Sequence, residues 1–369
     1  MTTIARFTSR LATTVATGAL VLATALLPAQ ACTGIMLKAG DGSVIHARTL
    51  EFGIDLDSEL LVFPRGYART GTTPDGKPGK TWTAKYASIG MNGAGLSILF
   101  DGLNEKGLAA GMFYFPGSAG YMPYAAGDAD KTIAQWEVLS YILDSYASVA
   151  EVKADIGNVV VPSVVFSTWG FAPDAHYTVR DATGASIVIE YVGGKLNVWD
   201  APLGVITNSP TFDWHMTNLR NYIGFSITNA PPVTLGPITL QPTGMGSGML
   251  GMPGDFTPPS RFVRAVAFSH SVLPQATGYD GVLAAFHILN NFDIPKGSAR
   301  DGEKDANGNI QADYTLWTSV ADTKALKYYF RTYENSQIRV LGFDGLDLDA
   351  KDVLHIPITG DEVIAPAKP

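Results

Sequence analysis

The only cysteine of this 369-residue chain, Cys32, directly follows Ala29-Gln30-Ala31. The residues before it contain Arg6 and Arg10, no lysine and no acid, then an apolar run over 19–27. A charged start, a short apolar stretch and a small-x-small tripeptide make 1–31 a signal peptide. The apolar run is shorter than the roughly 20 residues of a membrane span. Cleavage after Ala31 makes Cys32 the first residue of the working protein. A free α-amine has a pKa of about 7.7–8.0 and is partly neutral at pH 7. It can take the proton of its own thiol, directly or through a water. Such a residue suits acyl transfer from an amide to water through a thioester. It needs an oxyanion hole and charged neighbours that favour the thiolate. Two other readings of Cys32 stand beside this one. One is lipid attachment in an exported lipoprotein that acts as a binding module, although Ala29 replaces the aliphatic residue usual three before the cysteine. The other is an incidental buried thiol.

The elements around Cys32 must position that chemistry. Residues 32–38 read as a strand, Gly40-Asp41-Gly42 as a tight turn and 43–52 as the return strand. The hairpin brings its ends together and sets Arg48 beside the thiol. Further on come Asp101-Gly102-Leu103-Asn104-Glu105-Lys106-Gly107-Leu108, Phe113-Tyr114-Phe115-Pro116-Gly117 and Val205-Ile206-Thr207-Asn208-Ser209-Pro210. Gly251-Met252-Pro253-Gly254-Asp255, Ser260-Arg261-Phe262-Val263-Arg264, Tyr314-Thr315-Leu316-Trp317 and Tyr333-Glu334-Asn335-Ser336-Gln337 complete the series. In this order and spacing the chain resembles the choloylglycine hydrolase family of N-terminal-nucleophile amidases, over 32–341. That family includes conjugated bile acid hydrolases and penicillin V acylases.

The resemblance implies an α+β fold, a four-layer αββα sandwich, and a small-molecule amide substrate. It implies Cys32 as nucleophile with its amine as base, and Arg48 steadying the thiolate. Asn208 is implied as the side-chain oxyanion donor, the Tyr114 backbone N–H as its partner, and Arg261 as the arginine near the nucleophile. Glu51 stands where the family usually has Asp, one methylene longer. Tyr114 leans toward penicillin V acylases, with N-acyl homoserine lactones as a secondary substrate class and conjugated bile salts as the main alternative. Phe52, Tyr114, Phe115 and Tyr121 are candidate pocket aromatics. A homotetramer is implied by the family alone.

Composition excludes several classes. At 46% hydrophobic and 16% charged, the chain is too apolar for disorder. One cysteine forms no internal disulfide and no cysteine zinc site. The net charge of −8 gives no basic face for nucleic acid. Loss of 1–31 removes two arginines and makes it −10 over 338 residues. The six histidines form no H-x-x-x-H pair, and no metal or cofactor is expected. His46 is a minor candidate because it precedes Arg48 by two residues. Gly246-Ser247-Gly248-Met249-Leu250-Gly251 matches G-x-G-x-x-G, but Pro253 and Gly254 forbid the helix a dinucleotide site needs. It reads as a loop whose methionines (245, 249 and 252) could line an apolar pocket. The acidic stretches 301–309 and 344–352 read as solvated loops. Helical periodicity falls at 131–146, 149–156, 215–222, 260–268 and 278–289. Strand patterns fall at 59–63, 107–113, 177–180, 185–191, 194–199, 314–321, 325–333 and 337–342. Residues 32–369 form one domain with a loose tail after Asp352, exported to the periplasm or beyond, with no membrane span once 1–31 is removed.

Overall fold

The structure, a computed structural model, describes residues 31–304 and 310–367. In chain order the first elements are β1 (Cys32–Lys38), β2 (Val44–Phe52), β3 (Glu59–Phe63), β4 (Ala68–Thr72), β5 (Pro78–Thr83), β6 (Ser88–Met91), β7 (Asp101–Asn104) and β8 (Ala109–Tyr114). Helices α1 (Val138–Ser145) and α2 (Val149–Asp155) follow, then β9 (Ala175–Arg180), β10 (Ser186–Val192) and β11 (Lys195–Asp200). Next come α3 (Phe212–Asn218), β12 (Val233–Leu235), β13 (Ile238–Leu240), α4 (Pro258–Ser271) and α5 (Gly278–Leu289). The chain closes with β14 (Ala299–Lys304), β15 (Ile310–Asp322), β16 (Lys327–Thr332), β17 (Arg339–Gly342) and β18 (Leu354–Pro357).

Two antiparallel sheets stack face to face. One runs β1-β2-β15-β16-β17, with β14 also on β15; the other runs β11-β10-β9-β8-β7-β6-β3-β18. Helices α4 and α5 cover the outer face of the first sheet, and α1 covers β7 and β8 of the second. The result is helix, sheet, sheet, helix, an arrangement in which each apolar face finds a partner. β2 shows why its sequence departs from simple alternation: all nine residues are buried. Its Ile45 packs on Gly281 of α5, while His46 faces Gly111 of the other sheet.

Two inward positions of β2, His46 and Arg48, are polar and must be paired. His46 Nε2 lies 2.7 Å from Asp101 Oδ1, and Arg180 Nη1 lies 2.9 Å from His46 Nδ1. Arginine only donates, so Nδ1 accepts and Nε2–H donates to Asp101. The ring is neutral, in keeping with a pKa lowered chiefly by burial. Ser319 and Tyr328 donate to the other Asp101 oxygen at 2.8 and 2.7 Å. His46 thus joins the two sheets and stands apart from Cys32 chemistry.

Several expectations are revised. The helix expected over 131–146 begins only at Val138. Before it, the Thr132 carbonyl accepts from Lys80 and the Ile133 N–H donates to Val160, so that backbone is already paired across the chain. The Glu137 carboxylate accepts the Ala134 and Thr72 N–H groups, which fixes the entry. The tail is not wholly loose: Leu354–Pro357 pairs with β3 and closes one edge of the second sheet. Of the acidic stretch 301–309, Asp301 to Lys304 belong to β14, and 305–309 lie outside the described residues. The segment expected to be a signal peptide also lies outside them up to Gln30. Among the described residues no helix is long and apolar enough to cross a membrane.

Gly34 in β1 is a packing requirement. A Cβ there would lie 2.7 Å from the Phe113 ring and 2.8 Å from Ile206. Overfilling a close-packed interior costs about 1–3 kcal/mol. Gly34→Ala should lower stability by that amount in denaturant titration, while Gly42→Ala, with open space around it but a left-handed φ of 86°, should cost only about 1 kcal/mol.

Candidate active site

β1 and β2 form the expected hairpin, with Cys32 opposite Leu50 and Gly34 opposite Arg48. Cys32 is 4% exposed at the start of β1. The Arg48 side chain stacks between Phe113, 4.2 Å from the ring centre, and Trp317, at 5.2 Å. Its Nε donates to Thr49 O, and its Nη1 donates to Phe100 O and Met112 O at 3.1 and 2.5 Å. Nη2 has no partner among the described residues. Three carbonyls and two rings hold the guanidinium rigidly, and its Nη2 edge is left over. Burial pushes the Cys32 thiol pKa up, while the Arg48 charge is the strongest influence bringing it down.

Arg261 lies in the first turns of α4. Its Nε donates to Phe256 O at 2.8 Å. Its Nη1 donates to Cys32 O at 2.5 Å and to Thr33 Oγ1 at 2.9 Å, and its Nη2 donates to Asn208 Oδ1 at 2.6 Å. Asn208 Oδ1 also accepts the Cys32 N–H at 2.9 Å. Two donors on one oxygen fix the amide orientation, so Nδ2 is the donating end. One Nδ2–H goes to Tyr114 O at 2.8 Å, and its second hydrogen remains for another acceptor. His215 Nε2 holds the Asn208 carbonyl at 2.9 Å. Burial lowers the His215 pKa to about 4, so the ring is neutral at pH 7.

Tyr114 ends β8. The next residue, Phe115, donates its N–H to Asp174 O. Strand alternation therefore turns the Tyr114 N–H away from β9. Its side chain lines the cavity beside Cys32 and its hydroxyl has no partner among the described residues.

Glu51 pairs its N–H with Ala31 O at 2.9 Å. Between Thr315 and Trp317 the β2–β15 register shifts by one residue, placing Thr315 opposite Glu51. Thr315 Oγ1 donates to Glu51 Oε1 at 3.1 Å, whereas Oε2 is buried without a partner among the described residues. Burial raises the Glu51 pKa to about 8, against the lowering pull first of Arg261.

The cavity has an empty volume of ≈ 580 Å³, open mouth included. Its lining includes Cys32, Glu51, Phe52, Tyr114, Trp136 and Trp169. Phe52 stacks on Trp169 at 6.1 Å, and Phe166 meets Trp169 and Trp136 edge-on at 5.2 and 5.4 Å. The structure thus brings Cys32, Arg48, Glu51, Tyr114, Asn208, Arg261 and Phe52 together. It places two candidates elsewhere. Phe115 is fully buried and stacked on His176 at 4.2 Å. The Tyr121 hydroxyl is used on Pro173 O and Ala175 N–H, in contact with Tyr191. The methionines of the glycine-rich loop do not line the cavity either, and Met245 is 94% exposed. Met112 supplies the thioether there instead. Sequence reasoning missed Trp136, Phe166, Trp169 and Asp174. The aromatic density of 166–171 was the available signal.

A sandwich of two antiparallel sheets between helices, with a buried cysteine at the first residue of the first strand, defines an N-terminal-nucleophile hydrolase fold. A crystal structure of a mutant conjugated bile acid hydrolase from Clostridium perfringens matches it with a TM-score of 0.79 at 30% identity, covering 91% of this chain and 100% of that one. Residues 32–356 match the linear amide C–N hydrolases of the choloylglycine hydrolase family. The bile salt hydrolase/transferase of Clostridium perfringens is 34% identical over 326 residues, 87% of this chain and 95% of that one. A penicillin V acylase of Pectobacterium atrosepticum is 29% identical over 311 residues, 78% of this chain and 74% of that one. The chain belongs to the choloylglycine hydrolase family and is a hydrolase of linear amide C–N bonds.

The Glu51 geometry makes a prediction for a chain in which Ala31 is still joined to Cys32. The folded state holds the Glu51 proton up to about pH 8, while the unfolded chain releases it near 4.5. The folded state therefore binds more protons in that window, and stability falls as pH rises through it, by about 1.4 kcal/mol per unit. Glu51→Gln should flatten the stability–pH curve between pH 5 and 8 by that slope; an unchanged slope by denaturant titration would refute the assignment.

Proposed function

We propose that removal of residues 1–31 during export frees the Cys32 amine, and that the mature protein cleaves linear amides through a Cys32 thioester. The observation that carries this reading is the single Asn208 side chain. Its oxygen holds the Cys32 nitrogen, and its nitrogen donates one hydrogen to Tyr114 O and keeps the other for a substrate. In the cut chain the amine takes the thiol proton as Cys32 attacks the substrate carbonyl. The developing oxyanion is held by the free Asn208 Nδ2–H and the Tyr114 N–H. The amine then protonates the departing nitrogen, and water resolves the thioester by the reverse path. The unpaired Glu51 Oε2 accepts a hydrogen bond from the new amine, whose positive charge favours the ionised carboxylate. Arg48 stabilises the thiolate, and Arg261 fixes Cys32, Thr33 and Asn208 relative to one another.

The acyl group is apolar and aromatic, as in penicillin V, because Phe52, Trp136, Phe166 and Trp169 enclose the cavity with ring faces and edges. N-acyl homoserine lactones are a second substrate class. Conjugated bile salts are the alternative, favoured by relatives such as the Clostridium perfringens enzyme. Lipidation of Cys32 is disfavoured by its burial in the cavity wall.

A panel of penicillin V, glycocholate, taurocholate and acyl homoserine lactones of several lengths, given to the mature protein, ranks these substrates. The expected order has penicillin V first; a preference for the bile salts would reverse it. Cys32→Ala should abolish hydrolysis with the fold retained by circular dichroism, and residual activity would reject the mechanism. Asn208→Ala should lower kcat by about 10²–10³-fold, the cost of one oxyanion donor. Intact mass should show a chain starting at Cys32 without lipid.

A further inference from the structure

The Glu51 carboxyl ends a flexible side chain whose last torsion is broad. A carboxyl free to turn holds nothing in place, and one hydroxyl in the structure stops it turning. Thr315 Oγ1 donates to Glu51 Oε1 at 3.1 Å. The same oxygen accepts the Ile294 N–H at 2.9 Å, so its one hydrogen is kept for Glu51. The Thr315 N–H in turn donates to Ile294 O at 3.2 Å. Thr315 is thus held by both backbone groups of one buried residue, and its branched side chain has little rotamer freedom.

The reach to Glu51 depends on a β-bulge. Paired residues across an antiparallel ladder share a face, and neighbours along a strand take opposite faces. Thr315 is opposite Glu51, and Trp317 is opposite Leu50. Thr315 and Trp317 therefore point to opposite faces, although residues two apart in a regular strand share one. Leu316 is the extra residue between them. Its insertion lets β15 send Trp317 to Arg48 and Thr315 to Glu51. A regular strand would serve only one of these partners.

We propose that Thr315 is a positioning residue: by holding Glu51 Oε1 it keeps Oε2 presented to the amine that cleavage frees on Cys32. This rests on the amidase reading above. Oε2 is buried and without a partner among the described residues, and the Glu51 N–H already meets residue 31 at Ala31 O. Thr315 is absent from the lining of the Cys32 cavity, so it acts through Glu51 and not on substrate.

The test compares Thr315→Val and Thr315→Ser in the mature protein, on the panel substrate that wild type cleaves fastest. The hydroxyl hydrogen favours the ionised carboxylate, so its loss raises the pH at which Glu51 ionises. Cys32 of β1, Arg48 of β2 and Arg261 of α4 share charge interactions with Glu51, and Asp313 of β15 acts on Arg261; both variants leave all four in place. In Thr315→Val the acid limb of kcat/KM should move up by about one pH unit, with a loss of about tenfold at pH 6 that lies in kcat and leaves KM nearly unchanged. Thr315→Ser keeps the hydroxyl and should keep the wild-type profile. If circular dichroism shows Thr315→Val unfolded, Thr315→Cys takes its place; a thiol is a weak donor, and the limb should move the same way by less. An unmoved acid limb, an equal loss at every pH, or no recovery in Thr315→Ser would overturn the proposal. The uncut chain gives a second reading without activity. There the fall in stability that Glu51 produces should continue to about one pH unit higher in Thr315→Val than in wild type, and coincident curves would overturn the contact itself. If wild type cleaves none of the panel, the amidase reading fails and this proposal with it.

Discussion

One buried guanidinium holds the reaction centre in place. Arg261 donates to Cys32 O, Thr33 Oγ1 and Asn208 Oδ1, and reaches back to Phe256 O on its own side of the helix. A buried charge is tolerable only when its hydrogens are satisfied. These contacts satisfy it and, in doing so, fix three segments far apart in sequence. β1 supplies Cys32, the 205–208 segment the Asn208 amide, and α4 the cation. If the fork were absent, Asn208 would lose one of the two donors that set which end of its amide accepts and which donates. The same constraint explains why Pro258 opens α4: proline at the first turn fixes the helix start that aims Arg261 inward.

A second polar layer runs between the sheets. His46, Asp101 and Arg180 are fully buried and mutually bonded, and Ser319 and Tyr328 complete the Asp101 shell. This network lies two residues along β2 from Arg48. It pins β2 against β7 and β9, the strands beside β8, and so helps keep Phe113 under the Arg48 guanidinium. Catalytic geometry and sheet stacking share one strand. That sharing accounts for β2 being buried on both faces, despite a His, an Arg and a Glu among its nine residues.

Much of the fold could be read along the chain because its period-2 and period-3.6 patterns are local. The β1–β2 hairpin, β3, β9 to β11, β15 to β17 and helices α2, α4 and α5 all follow from such patterns, with ends shifted by a few residues. Elements without a pattern were less visible. The four-residue strands β6 and β7 are too short to alternate clearly, and β18 is recognisable only as the strand that pairs with β3. The stretch before Val138 has helical periodicity, yet Thr132 and Ile133 are bonded to Lys80 and Val160, so tertiary pairing displaces the helix. The aromatic candidates divide similarly. Phe52 and Tyr114 face the cavity, whereas Phe115, one residue beyond Tyr114, points to the opposite side of the strand and stacks on His176.

The sequence by itself determined the chemistry available: one thiol, directly after Ala29-Gln30-Ala31, followed by a hairpin that carries Arg48 and Glu51. It also determined the family, because the motifs around Tyr114, Asn208 and Arg261 stand in order along the chain. Only the tertiary structure decided which end of the Asn208 amide donates and which aromatics wall the cavity. Those facts depend on side chains meeting from segments more than a hundred residues apart. A linear pattern records spacing along the backbone, and contact between distant segments is fixed by packing of the two sheets.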